Sequence, residues 1–389
     1  MTRSTTLLGA GTALGVTLSV LVSACSGLDR TTRSVPGGEA TGSPGMRVDA
    51  EDPASLGRLL DEIQDERVVL VGETHDRYDH HLNQLAVVRG LDERGVELAI
   101  GVEFFQTPFQ RHLDDYVSGG IGEKELLKRT EWYERWRFDY RLYRDILDYA
   151  KRRGIPLVAL NAPAEVVAQV SEGGIVALGE DERERLGLGP DDDTRALRER
   201  MGPIFAAHGP MDAQRLDRFV DVQRLWDASM ARAAADYLEV NPSRHLVILA
   251  GSGHVVPPEA IPGRLARMGF PGGAVIATGG AGRFSDHEPR YLFADRDLAL
   301  GPPGRLGVDL IRDEEGVRVH QIVEPGSGGD SGLREGDRIL RIAGEPIRDL
   351  SDVRLAMLDR GQGEKVRLEL ARADPRSAPR RVSAVVRLL

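Results

Sequence analysis

The sequence predicts an α/β protein: a mostly parallel sheet with helices on both faces and a helical insertion, followed by a small, mostly-β domain. Three observations carry this expectation. Short runs rich in Val, Ile and Leu alternate with longer helical stretches. These runs are apolar on both faces, as strands of a parallel sheet covered on both sides must be. Pro302-Pro303 then marks a boundary, beyond which short strands dominate.

The chain opens on Arg3 and an uncharged apolar stretch from Leu7 to Val22, and closes that stretch with Val22-Ser23-Ala24-Cys25. This resembles the bacterial lipobox, in which small residues precede a cysteine that takes the lipid. Cys25 is the one cysteine of the chain, so no internal disulfide forms and the thiol sits where lipidation needs it. A plain signal peptide is the bland alternative. The expectation is a lipid-anchored, extracytoplasmic protein at the cell membrane or outer envelope. Residues 26–47, rich in Gly, Ser, Thr and Pro, read as a flexible tether.

The remaining chain is long enough for two domains, placed at 48–300 and 301–389. A net charge of −10 argues against nucleic acid as a partner. No second apolar run approaches the roughly 20 residues that span a bilayer.

Residues 67–72 form the first strand and a helix follows over 80–94. The second strand covers 98–105, and a long helical tract is expected over 124–153. Residues 156–161 and 245–250 give two further strands, and 273–277 a fifth. Residues 172–212 read as an irregular insertion. Leu216, Phe219, Val220, Trp226, Met230, Ala234 and Tyr237 then follow helical spacing, with Gln223 and Asp227 as i, i+4 neighbours on one flank that could point into the crevice.

Polar residues stand at the strand ends. In an open parallel sheet, ligands bind beyond the carboxyl ends of the strands. Glu73, His75, Glu103 and His254 should therefore converge on one crevice as catalytic residues. Each has a blander reading: Glu73 as a helix-start carboxylate, His75 and His254 as satisfied loop histidines. Glu103 resists one, because an acid inside an apolar strand is costly to bury alone. His80 and His81 read as exposed helix-start histidines, with His112 and His287 equally unremarkable, and His245 as structural.

Gly72-Glu73-Thr74-His75-Asp76, Gly101-Val102-Glu103, Gly154 to Pro163, Gln223 to Ala231 and Gly251-Ser252-Gly253-His254-Val255 stand in an order that resembles the ChaN family. That resemblance, over residues 60–280, implies a haem-binding uptake lipoprotein, related to the Tiki proteases and the erythromycin esterases. Haem would need an axial ligand, for which the chain offers Tyr78, Tyr133, Tyr140, Tyr143, His208 and Met230.

The last domain resembles a PDZ domain. Leu306-Gly307-Val308 is similar to the loop that takes a peptide's C-terminal carboxylate. Residues 325–333 and Gly336-Asp337-Arg338-Ile339-Leu340-Arg341-Ile342-Ala343-Gly344 follow the bacterial PDZ pattern, with a helix over 350–358. Such a domain implies a peptide partner added as a strand to a sheet edge. Three functions remain open: haem binding, Glu/His-dependent hydrolysis with or without a divalent metal, and a PDZ adaptor whose crevice is inactive.

Overall fold

The structure, a computed structural model, describes residues 46–189, 193–206, 212–271, 273–278, 289–323, 332–374 and 377–389. Cys25, the tether up to residue 45, His208, His287 and residues 325–331 lie outside the described residues. Two compact units form among the described residues: 46–120 with Tyr143–Asp297, and Ile121–Leu142 with Leu298–Leu389.

The first unit opens with β1 (Met46–Val48), α1 (Pro53–Ile63), β2 (Val68–Glu73), α2 (Tyr78–Glu93), β3 (Leu98–Gln106) and α3 (Gln110–Val117). The chain then leaves for the second unit, where it forms α4 (Glu123–Arg129) and α5 (Trp132–Arg135). It returns as α6 (Arg144–Arg153), β4 (Leu157–Asn161), α7 (Ala164–Gly173), α8 (Glu180–Leu186), α9 (Arg195–Ala206) and α10 (Ala213–Val240). β5 (His245–Gly251), α11 (Ser252–Val255), α12 (Ile261–Arg267), β6 (Ala274–Thr278) and β7 (Tyr291–Phe293) complete it.

The sheet order is β1-β7-β6-β2-β5-β3-β4, and every pairing is parallel. Strand side chains alternate between its faces. Val68, Leu70, Leu246 and Ile248 pack under Met230, Ala234 and Leu238 of α10 and under Ile261 and Leu265 of α12. Val69 and Val71 point the other way and are equally buried; α2 packs on β2. Of the helical stripe read from the sequence, Trp226, Met230, Ala234 and Tyr237 belong to this sheet core, whereas Leu216, Phe219 and Val220 pack with Val167 and Val170 of α7 and Leu186 of α8.

Residues 124–153 are not one helical tract. Glu131 and Arg137 take φ values of 51° and 72°, in the left-handed region that no helix continues through. The indole of Trp132 donates to the carbonyl of Phe138 at 2.9 Å and closes the turn between them.

The second unit adds β8 (Val308–Asp313), β9 (Gly316–Ile322), β10 (Arg338–Ile342), β11 (Glu345–Pro346), α13 (Leu350–Met357), β12 (Lys365–Asp374) and β13 (Ser377–Arg387). Its antiparallel sheet runs β13-β12-β10-β9-β8, with β11 on β10. β8 is therefore an edge strand among the described residues. Val317, Val319, Ile339, Ile342, Leu368 and Val386 form the core. The α4–α5 excursion packs against α13: Lys128 pairs with Asp352, the Ser351 hydroxyl donates to Glu134, and Arg354 lies 5.3 Å over the Tyr133 ring.

Gly72 marks the closest approach of α11 to the sheet. A Cβ there would meet Val255 Cγ2 at 2.7 Å, Ser252 Oγ at 2.8 Å and the Ser252 backbone at 3.1 Å. Gly72→Ala should cost about 1–3 kcal/mol, the usual penalty for overpacking, read from the urea midpoint. An unchanged midpoint would mean that α11 lifts away freely.

Candidate functional site

Strand register builds the site. In the β2–β5 ladder Glu73 lies opposite Gly251, and β3 flanks β5 on its other side. Pairing of β3 with β4 shifts between Val102 and Gln106, a bulge of the kind that re-aims a side chain. Glu103 sits in it. Its Oε2 accepts the Gly251 N–H at 2.6 Å. Its Oε1 lies 3.5 Å from His254 Nε2 and 4.0 Å from His75 Nε2.

Each imidazole is held on its far side by another carboxylate. His75 Nδ1 hydrogen-bonds Glu73 Oε1. His254 Nδ1 lies 2.6 Å from Asp227 Oδ1 and 3.0 Å from the Gln223 amide nitrogen. An Nδ1–H donated to the carboxylate behind each ring turns both Nε2 atoms towards Glu103, and the Gln223 amide nitrogen, itself a donor, then makes no bond to His254 Nδ1. The cluster is continuous, Glu73–His75–Glu103–His254–Asp227, and no member is more than 5% exposed. Gly251 leaves room for His75 at its centre. A Cβ there would meet His75 Cε1 at 3.0 Å and Glu103 Oε2 at 3.6 Å.

All four residues read from the strand ends thus meet at one place. Gln223 and Asp227, whose i, i+4 spacing beside an apolar stripe allowed them to point into the crevice, do so and meet His254. His80 and His81 depart from expectation: they are buried rather than exposed. His81 Nε2 and the Tyr143 hydroxyl donate to the His75 carbonyl at 3.1 and 3.2 Å. The Thr74 N–H donates to His80 Nδ1 at 3.0 Å, leaving His80 Nε2–H for Asp295 at 3.1 Å. Both histidines fix the loop that carries His75. His245 is structural, its Nδ1 bonding the Glu66 carbonyl.

Electrostatics follow from the burial. Burial pushes the Glu73 carboxyl up, but the charge and hydrogen bond of His75, with His81 and His80 behind it, outweigh burial and hold it below the usual range. Burial drives His81 down, and the nearby Glu73 only partly offsets this.

Glu73, His75 and Glu103 each offer a ligand atom within 4.8 Å of the others. Glu73 Oε2 is buried and has no hydrogen-bond partner among the described residues. A divalent cation fits this donor set. A second group, Asp79, His80 and Asp295, does not suit one. Asp79 already accepts from Arg77 and the Arg296 N–H, and both His80 nitrogens are engaged.

Three of the described candidates for a haem ligand are engaged elsewhere. Tyr78 donates to Asp145 at 2.7 Å and Tyr143 to His75. Met230 is inside the core. Tyr133 and Tyr140 belong to the second unit, where Tyr140 is buried edge-on to Trp132. In that unit Leu306 is buried, Gly307 has φ 70°, and Val308 opens β8.

Because the folded Glu73 carboxyl titrates below its unfolded value of about 4.5, its ionisation stabilises the fold above that pH. The contribution is lost as pH falls through the folded value. Denaturant midpoints should fall more steeply below about pH 4.5 for the wild type than for Glu73→Gln. Parallel curves would mean that the Glu73–His75 contact contributes nothing.

A family model described as "Haem-binding uptake, Tiki superfamily, ChaN" matches residues 59–265, and a PDZ domain model matches residues 304–378. Protein RETICULATA-RELATED 5, chloroplastic, of Arabidopsis thaliana is 28% identical over 145 residues, covering 34% of this chain and 19% of that protein. The match therefore spans about a fifth of that relative's length. Among solved structures, ChaN of Campylobacter jejuni with cofacial heme aligns with a TM-score of 0.43 and 19% identity, over 61% of this chain and 93% of that one. An erythromycin esterase, EreC, in its open conformation aligns with a TM-score of 0.36 and 16% identity, over 57% of this chain and 72% of that one. With more than half of its length matched by the family model, the chain belongs to the haem-binding uptake, Tiki superfamily, ChaN family, and it carries a PDZ domain after that region.

Proposed function

We propose that the first unit is a Glu/His acid–base centre that activates water for hydrolysis, on a lipid-anchored protein whose PDZ domain receives peptide C-termini. One observation carries the hydrolytic reading: a carboxylate, Glu103, set between two imidazoles that are each oriented by a further carboxylate. An imidazole so oriented accepts a proton on Nε2 and is stabilised as the cation by the acid behind it. His75 and His254 would divide this work, one taking the proton of water and the other protonating the leaving group. Glu103 would hold the water between them. A divalent cation on Glu73, His75 and Glu103 would lower the pKa of a bound water.

Haem binding is the second reading, favoured by the family match over residues 59–265. Tyr78, Tyr143 and Met230 do not fit as its axial ligands, being held by Asp145, by the His75 carbonyl and inside the core. A hydrolytic centre should lose roughly 10²–10⁴-fold in rate on Glu103→Gln, read with an ester or peptide library as substrate. Absence of turnover in the wild type, together with a saturable Soret change on adding haemin, would replace hydrolysis by haem binding.

Lipid attachment rests on Cys25, the sole cysteine, closing Val22-Ser23-Ala24-Cys25. No helix among the described residues is long and apolar enough to cross a membrane. Peptide reception rests on the edge position of β8 and on Leu306-Gly307-Val308 before it, whose N–H groups would take a terminal carboxylate. Peptides with a free C-terminus should bind the full chain, and amidating that terminus should weaken binding at least several-fold, since a charge-assisted bond is lost. Equal binding of both forms by calorimetry would remove the carboxylate role of this loop.

A further inference from the structure

In the second unit, β12 and β13 pair along their length, from Lys365 opposite Arg387 to Asp374 opposite Ser377. Val366 and Leu368 of β12 and Ala384 and Val386 of β13 point into the core. Alternation therefore puts Lys365, Arg367 and Glu369 on the outer face, beside Arg387, Val385 and Arg381. The four cations are exposed, and Val385, opposite Arg367, is 49% exposed among them.

Like charges directly opposite across a ladder destabilise it, and this sheet face treats two such pairs differently. Arg338 stands opposite Arg318, and Asp313 serves both, at 2.6 and 3.2 Å. Lys365 stands opposite Arg387 with no acid paired to either among the described residues, and Arg367 is one pleat away. Arg387 donates to the Gly363 carbonyl at 3.3 Å. Glu364, the acid next in sequence, accepts the Gly361 N–H at 2.8 Å and lies 4.0 Å from Arg360. Residues 358–370 and 382–389, which build this end of the hairpin, are all described.

The three cations stand within about 8 Å of one another, and Arg381, opposite Ala371, extends the face to about 20 Å. Charge on an edge strand blocks unwanted strand addition, which accounts for Arg381 and Arg387. It does not account for Lys365 and Arg367, because β12 is paired on both sides, to β10 and to β13. Repulsion kept here, on a chain of net charge −10, calls for an anion outside the chain.

We propose that this face docks on an anionic phospholipid surface. Phosphate groups take the place between Lys365 and Arg387 that Asp313 takes between Arg338 and Arg318. Lys and Arg stems can cover an apolar residue such as Val385 while their charges reach into a headgroup layer. Acids elsewhere on the chain oppose this little, since charges beyond about 10 Å are screened. The choice of a membrane over an acidic protein rests on the lipid-anchored reading of Cys25.

The test is co-sedimentation of the chain from residue 26 onward, which keeps both units and lacks the lipid site. It is run with vesicles of phosphatidylcholine alone and of phosphatidylcholine mixed with phosphatidylglycerol. The mixed vesicles should bind at least about tenfold more tightly at low salt, and high salt should release the chain. Each cation removed should weaken binding about fivefold, so Lys365→Gln with Arg367→Gln should lose at least about tenfold. Both positions are exposed, so the fold is retained. Arg290→Gln, in the first unit beside Glu62, removes the same charge elsewhere and should bind as the wild type does. Because the chain tested carries no lipid site, the result is independent of whether Cys25 is acylated. Equal binding to the two vesicles overturns the proposal, and so does undiminished binding by the double variant. Preference for polyglutamate over the mixed vesicles overturns it too, and assigns the face to an acidic protein.

Discussion

The contact on which the site depends is that of Glu103 with the Gly251 N–H. Three carboxylates and two imidazoles share a volume closed to water, where like charges repel strongly and an unpaired ion is costly. The arrangement holds because each acid has a fixed partner: Glu73 on His75, Asp227 on His254, Glu103 on backbone. Much of the local sequence follows from that. Glycine at 251 lets His75 come near without being pushed aside, the β3–β4 register shifts where Glu103 sits, and α10 places polar side chains at 223 and 227 on an otherwise apolar side. With both Nδ1 atoms donating, Glu103 Oε1 faces the two Nε2 lone pairs. Such a cluster is stable only with added protons or a bound cation, and this is the property that proton transfer chemistry uses.

How far this was legible in the sequence depends on the range of the forces involved. The five central strands announce themselves, because a strand buried on both faces must be apolar at every position. β1 and β7 do not, being three residues each and defined only by pairing with one another and with β6. Glu73, His75, Glu103 and His254 were readable because parallel topology brings strand ends together whatever their separation in sequence. His80 and His81 were not. They open a helix, where exposure is normal, and their burial comes in part from Asp295 and Arg296, more than two hundred residues away. Asp295 bonds His80, and Arg296 bonds the neighbouring Asp79 and Asn83. Gln223 and Asp227 lie between these cases: the spacing was visible and the partner was not.

The excursion through residues 121–142 is a further limit of the same kind. Its contacts with α13 are polar and local to a few side chains, Lys128 with Asp352 and Glu134 with Ser351. Such pairs leave no periodic trace in a sequence, whereas the break at Glu131 and Arg137 is a backbone conformation that the residue types conceal. The consequence is a PDZ-containing unit assembled from two stretches of chain. Leu142, in that unit, is followed directly by Tyr143, whose hydroxyl holds the His75 carbonyl.

The phenols argue about chemistry as well as structure. Burial, reinforced by a hydrogen bond to a carboxylate, pushes Tyr78, Tyr149 and Tyr291 up to about 12, against Asp145, Asp92 and Glu62 respectively. A tyrosine that binds ferric iron does so as phenolate, and these three would have to give up both proton and partner first. Tyr143 is likewise spent on the His75 carbonyl. Imidazole and carboxylate, by contrast, are gathered in one buried cluster around Glu103. A haem on this scaffold would take its ligand from outside those phenols, while water or a cation finds its partners already in place.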